Sequence, residues 1–279
     1  MRSPCRSGLD VLVLTLWALL FSSGAQAVTK TPPFTSADCA DPTLELRLPS
    51  QADVDSFPCT TVAGSLSIKR VSPATITSLS PGLDNLTRVE GQLRLGFDDT
   101  DSITTLNGLG NVTHLGSLDI QSTASQLTDI SALGGLTSLG PRNCQPAKDP
   151  ATCETQINIT SSAITQLPAW NIAGGTALER LFLDGLPLAD PTQLNSLPLP
   201  QRALRLQGLP LDTDQPGQLA ALARIASAAD VTLRAMANVK ALPAMPQTAG
   251  LALNELGLPD LSDITPAAFP VLDLARLTL

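Results

Sequence analysis

Two apolar residues flanking a single other residue recur along the chain, with the first apolar residue at Leu66, Leu93, Leu118, Ile157, Leu181, Leu204, Val231, Leu251 and Leu272. Alternation of period two marks a short strand that buries one face. The intervals run from 20 to 27 residues, with one of 39, and all but that one fall in the window of leucine-rich repeats. Longer copies are legible around the strands: VAGSLSIKRVSPATITSLSPGLDNLTRV from Val62, VEGQLRLGFDDTDSITTLNGLGNVTHL from Val89 and LGSLDIQSTASQLTDISALGGLTSL from Leu115. Each has an apolar residue and a glycine, then L-x-[IL], then [IL]-T-x-[LI], then a leucine-rich turn ending in [LV]-T. No single copy can bury its leucine face alone, whereas stacked copies share one elongated core. The pattern therefore predicts an α/β fold: a right-handed leucine-rich-repeat-like solenoid of about nine to ten short parallel strands in one sheet.

Other elements interrupt this rhythm. LELRLPSQADVDSFPC predicts a first strand at about Leu44 to Leu48, then a Ser50-x-x-Asp53 capping box and a short helix, which together form a cap over residues 28–61. GQLAALARIASAAD after Pro216 predicts a helix of good helix formers. The long interval is explained by an insertion over 140–156 within a solenoid that spans 62–279.

The chain opens with Arg2 and Arg6, an apolar run from Val11 to Phe21, and a small-X-small ending at Ala25, Gln26 and Ala27. These are the three parts of a secretory signal peptide over 1–27, too short in its apolar core to span a bilayer. A soluble exported product, extracellular or periplasmic, is expected, with no membrane span after signal cleavage. Four cysteines follow the leader, Cys39, Cys59, Cys144 and Cys153, and an even count in an exported chain suggests two disulfides. Three pairings are open. The sequence-local one is favoured, because each local pair brackets a segment where the pattern starts or is interrupted. The net charge of −8 argues against nucleic acid and anionic lipid as partners.

CTTVAGSLSI, the LDNLTRVEGQLRL junction and LTDISALGGLTSLG resemble the receptor L domain, the leucine-rich-like right-handed solenoid of insulin and epidermal growth factor receptors, of fungal cell-surface proteins and of secreted bacterial proteins. The resemblance covers about Cys39 to Leu139; from Leu178 onward the chain is more similar to plain leucine-rich repeats. It implies a secreted or surface-displayed binding or structural module without catalytic machinery. The composition suggests a bacterial source, which would leave the sequons at Asn85, Asn111 and Asn158 unglycosylated.

Candidate chemistry is sparse. His114 is the only histidine, aligns with Arg88 of the preceding copy, and reads as a variable solvated turn residue with no nucleophile beside it. A single histidine excludes an HExxH zinc site, and the glycines of GLGNVTHLG are misplaced for dinucleotide phosphate binding. Asp98, Asp99 and Asp101 share one turn and form a weak calcium candidate, lacking the glycine and final glutamate of an EF-hand loop. No cofactor and no enzymatic activity are expected.

The remaining lead is the face opposite the leucines. The middle residues of the strands point outward if their neighbours are buried; they read Ser67, Arg94, Asp119, Asn158, Phe182, Arg205, Thr232, Ala252 and Asp273. From these, Arg94, Asp119, Asn158, Phe182 and Arg205 are the candidate contacts to an unknown protein or glycan, because arginine and aromatic residues dominate binding hot spots. A structural envelope or periplasmic protein without a specific ligand is the competing reading. LDLARLTL closes the chain without a polar cap, so self-association through an uncovered last rung is a further expectation.

Overall fold

The computed structural model describes residues 28–122, 126–140, 154–170, 172, 178–273 and 277–278. The expected leader and the expected Cys144–Cys153 bridge both lie outside them. Within them the chain is an α/β protein with one open sheet of parallel strands and few helices, an arrangement compatible with a solenoid.

The amino end supplies β1 (Val28–Lys30), helix α1 (Ser36–Ala40), β2 (Leu44–Leu48), helix α2 (Gln51–Asp55) and β3 (Thr61–Val62). Then follow β4 (Ser65–Lys69), β5 (Arg88–Gly96), β6 (His114–Ser122), β7 (Ser138–Leu139), β8 (Gln156–Ser161), β9 (Leu178–Asp184) and β10 (Pro200–Gln207). Helix α3 (Pro216–Ile225), β11 (Asp230–Met236), β12 (Gly250–Leu256) and β13 (Leu277–Thr278) complete the order. The sheet runs β1-β2-β4-β5-β6-β8-β9-β10-β11-β12-β13, with β3 beside β5 and β7 beside β6, thirteen strands in all among the described residues. That exceeds the nine to ten expected. β1 is added at one edge, and β5 and β6, at nine residues each, run far enough to pair with two extra short strands.

Register follows the leucines. Leu66 pairs with Leu93, Leu93 with Leu118, Leu118 with Ile157, Ile157 with Leu181, Leu181 with Leu204, Leu204 with Val231 and Val231 with Leu251. A one-residue slip would turn this buried column to solvent, so burial itself fixes the register. The last strand departs from expectation: Leu277, not Leu272, pairs with Leu251, and Thr278 rather than Asp273 pairs with Ala252. LDLARLTL holds two L-x-L triplets, and Asp273 N–H instead donates to Ala249 O, just before β12.

Opposite the sheet, the connections close the core with a second apolar set, Ile76, Leu79, Leu83 and Leu86 after β4 and Ile103, Leu106, Leu109 and Val112 after β5, all buried. Most connections are turns or 3-10 segments, as at Ser131–Gly135 and Pro191–Ser196. α3 is the helix expected after Pro216.

Three columns of recurring positions hold the stack. Thr87, Thr113 and Thr137 each donate the backbone N–H to the carbonyl of the threonine before, Thr60, Thr87 and Thr113, at 2.8, 2.9 and 3.0 Å. Their hydroxyls donate to the same carbonyls, so the threonine of the Asn85 and Asn111 sequons has a structural reason. Gly64, Gly91 and Gly116 form a second column. A Cβ on Gly116 would lie 2.3 Å from Glu90 O and 2.4 Å from Gly91 O, and one on Gly91 would lie 2.7 Å from Gly64 O. Backbones approach here more closely than any side chain permits. A third column ends β9 to β12: Gly185, Gly208, Ala235 and Glu255 follow the paired residues Asp184, Gln207, Arg234 and Asn254, and all four have positive φ.

At the amino end Cys39 and Cys59 form a disulfide. Phe34 meets Phe57 edge to face at 5.9 Å. The complete capping box is Thr35 with Asp38, on α1; at α2, Ser50 accepts from Asp53 N–H while the Asp53 carboxylate takes the Ser50 hydroxyl.

Candidate functional site

Because side chains alternate across a strand, the residues between the buried leucines share one row on the opposite face. Pairing sets that row as Arg47, Ser67, Arg94, Asp119, Asn158, Phe182, Arg205, Thr232 and Ala252. The five candidate contacts therefore do lie in line. With neighbouring strands about 4.8 Å apart, Arg94 and Arg205 stand about 19 Å from each other along the row.

The row divides into two halves. In the first, side chains bind one another. Arg94 reaches past the small Ser67 to Glu45 at 3.0 Å, donates to Gln92 at 2.7 Å and approaches Asp119 at 3.5 Å. Asp119 also accepts from Asn158 at 2.9 Å and from Gln121 at 3.2 Å, and is only 5 % exposed. An acidic side chain so enclosed needs these donors to offset its desolvation. Asp119 is thus a positioning residue within the sheet, not an open contact.

In the second half the row is more open. Phe182 is half-buried between Asn158 and Arg205, and Arg205 is exposed. Arg205 donates to the uncharged Gln207 amide at 2.6 Å. Beside this row, two residues before β8, Glu154 holds Arg180 at 2.8 Å and also engages Arg202. Arg180 lies two residues before Phe182 and so on the same face. Reading only the middle residue of each triplet overlooks it; extending the period by one step finds it. Arg202 sits where the β9–β10 register shifts between Pro200 and Ala203, an irregularity with no sequence signal.

The acidic turn is engaged internally. Asp98 pairs with Arg70 at 2.7 Å and accepts from Thr100, and these partners hold its pKa down to about 2. Asp101 is buried and accepts from Ile76 N–H at 3.0 Å and Asp98 N–H at 3.1 Å. Among the described residues no group of three or more His, Cys, Asp or Glu side chains is disposed to hold a metal ion.

His114 corrects the sequence reading. It does pair with Arg88, as its alignment indicated, but it is 2 % exposed rather than solvated. Nδ1 lies 2.9 Å from Ser138 Oγ and Nε2 lies 3.2 Å from Glu90 Oε2, while Arg88 donates twice to Glu90 Oε1 at 2.9 Å. The cause is the register shift between Val89 and Gln92, which inserts one extra residue in β5 relative to β6 next to Glu90. A hydroxyl, an imidazole and a carboxylate therefore do stand in line. The ring is enclosed, and the guanidinium takes the other carboxylate oxygen, so the line joins β5, β6 and β7 at the sheet corner.

No family model matches the chain, and no curated protein or solved structure matches it.

Proposed function

We propose that the chain is an exported, non-enzymatic recognition or adhesion module: a right-handed leucine-rich-repeat-like solenoid of the receptor L-domain kind that binds a protein or glycan on its outward strand face. The observation that carries this reading is the open half of the row, where Phe182 and Arg205 stand on a rigid sheet whose other face is filled by leucine. Rigid elements with an aromatic and an arginine anchor lose little entropy on binding. Export is supported by the signal-peptide-like start and by the Cys39–Cys59 bridge, a bond favoured in oxidising compartments. The expected self-association through the C-terminal end involves residues 274–276 and 279, outside the described residues.

The competing reading, a structural envelope or periplasmic protein without a specific ligand, draws on the mutual pairing of Arg94, Asp119 and Asn158, which leaves that half of the face little to offer. An affinity pull-down from extracts of the native host separates the two. Wild type is expected to retain a specific partner that the Arg94→Ala, Phe182→Ala, Arg205→Ala triple variant loses, with Arg94→Ala alone retaining it. Identical, empty eluates from wild type and variant would favour the structural reading.

A further inference from the structure

The open half of the outward face has a repeat distance as well as a chemistry. Phe182, Arg205 and Thr232 of this half and Asn158 at its boundary with the closed half come from four successive strands, so they recur about every 4.8 Å across the sheet. That spacing is close to the length of one pyranose residue in a linear polysaccharide. An extended peptide laid across the strands repeats its same-side residues every 6.6 to 6.8 Å, about two residues of rise, and falls out of step within two strands.

The chemistry along the row agrees with the spacing. Phe182 offers an apolar ring to the C–H face of a sugar, as aromatic faces do for weakly positive edges. Thr232 beyond Arg205 offers a hydroxyl, and Asn158 beyond Phe182, whose Nδ2 donates to Asp119, offers its amide oxygen to a sugar hydroxyl. Arg205 is exposed, and its hydrogen bond goes to a neutral amide, so its charge suits a carboxylate bound in bidentate fashion. The chain as a whole carries −8, so attraction of an acidic polymer has to be local rather than a general effect of charge. We infer that the ligand of this face is a linear, carboxylate-bearing polysaccharide that crosses β8 to β11 with one sugar residue per strand, its ring stacked on Phe182 and a carboxylate on Arg205. The inference rests on the recognition reading above and narrows it to one ligand class.

The test uses the full mature chain and defined polymers: polygalacturonate, alginate, hyaluronate and neutral hydroxyethyl cellulose, in affinity gel electrophoresis at low and high salt. At least one of the three acidic polymers is expected to retard the protein, with retardation falling as salt rises, and the neutral polymer is expected not to. Arg205→Gln and Phe182→Ala should each weaken binding at least tenfold, and Arg94→Ala should leave it unchanged. Oligomers of four residues should bind at least tenfold more tightly than dimers, because four strands have to be spanned. No retardation by any of the three acidic polymers overturns the inference, as does binding that ignores both substitutions. If the pull-down yields a protein held through Phe182 and Arg205 while the polymers fail, the glycan inference falls and recognition by this face stands. If the pull-down is also empty, both fall.

Discussion

Replacing Gly116 by alanine puts one methyl group where β5 and β6 meet. The new Cβ would stand 2.3 Å from Glu90 O, 2.4 Å from Gly91 O and 2.9 Å from Gly91 C. Backbone atoms cannot rotate away, so β5 has to retreat by about 1 Å to reach ordinary contact. Its retreat is blocked on the far side: Gly91 N–H is already bonded to Gly64 O at 2.9 Å, and that glycine is itself in close contact. Overpacking of this kind costs about 1 to 3 kcal/mol, and weakening one or two ladder hydrogen bonds adds about 1 kcal/mol each. Against this, alanine returns about 0.4 to 1 kcal/mol by restricting the unfolded chain. The net loss is about 1 to 5 kcal/mol, a large part of a total stability on the order of 5 to 15 kcal/mol. Gly110→Ala is the control, since nothing lies within 4 Å of its Cβ. Urea unfolding followed by circular dichroism measures both, with hydrogen exchange of β5 and β6 amides locating the loss. A Gly116→Ala midpoint within error of the Gly110→Ala midpoint would refute the close-packed glycine column.

Ala235 and Glu255 occupy the same left-handed position as Gly185 and Gly208, with φ of 52° and 54°. Relief of about 1 to 2 kcal/mol of strain exceeds the entropy cost of glycine, so Ala235→Gly should raise thermal stability by about 0.5 to 1 kcal/mol in calorimetry; a lower melting temperature would contradict this. Asp98 titrates at about 2 because Arg70 and Thr100 favour its charged form. A depressed carboxylate stabilises the fold above the unfolded value and ceases to do so as pH falls through the folded one, here between about 4 and 2. Carboxyl NMR should show the Asp98 midpoint rising toward the ordinary aspartate value in Arg70→Met. Calcium or a chelator should leave the melting temperature unchanged, because the carboxylates of Asp98 and Asp101 already serve Arg70 and backbone N–H groups; a calcium-dependent rise would show otherwise. Trp170 donates from Nε1 to Leu133 O at 2.8 Å in a buried setting. Trp170→Phe removes that bond and leaves Leu133 O with the Leu136 N–H as its remaining donor, so it should cost about 0.5 to 1.5 kcal/mol in denaturant titration.

The strand register was legible because each leucine pair carries its own instruction: period two says which face is buried, and burial says which pairing is allowed. The same rule failed at LDLARLTL, where Leu272 and Leu277 satisfy it equally and Leu277 is the one that pairs with Leu251. The candidate row was legible for the same reason, but not its division into a closed and an open half. That division depends on how far Arg94 reaches past Ser67 and on Glu154 drawing in Arg180 and Arg202 from separate strands. Long, flexible side chains form such contacts across strands that are far apart in sequence. His114 was misread because its burial follows from one extra residue in β5, and nothing in Val-Glu-Gly-Gln marks a bulge apart from its length relative to Leu-Gly-Ser. The Thr35–Asp38 box was present as T-x-x-D before α1 but lacked the apolar run that usually follows such a signal.

Chemical footprinting of the mature chain, alone and with ligand captured from the native host, tests the recognition face most directly. Arginine-directed modification read by mass spectrometry reports Arg94, Arg205 and Arg234 separately. The expected result is protection at Arg205, with Phe182 protected from hydroxyl radicals in the same sample, while Arg94 reacts as it does in the free protein. Protection confined to Arg94 or to the leucine-backed turns, with Phe182 and Arg205 unchanged, would contradict it.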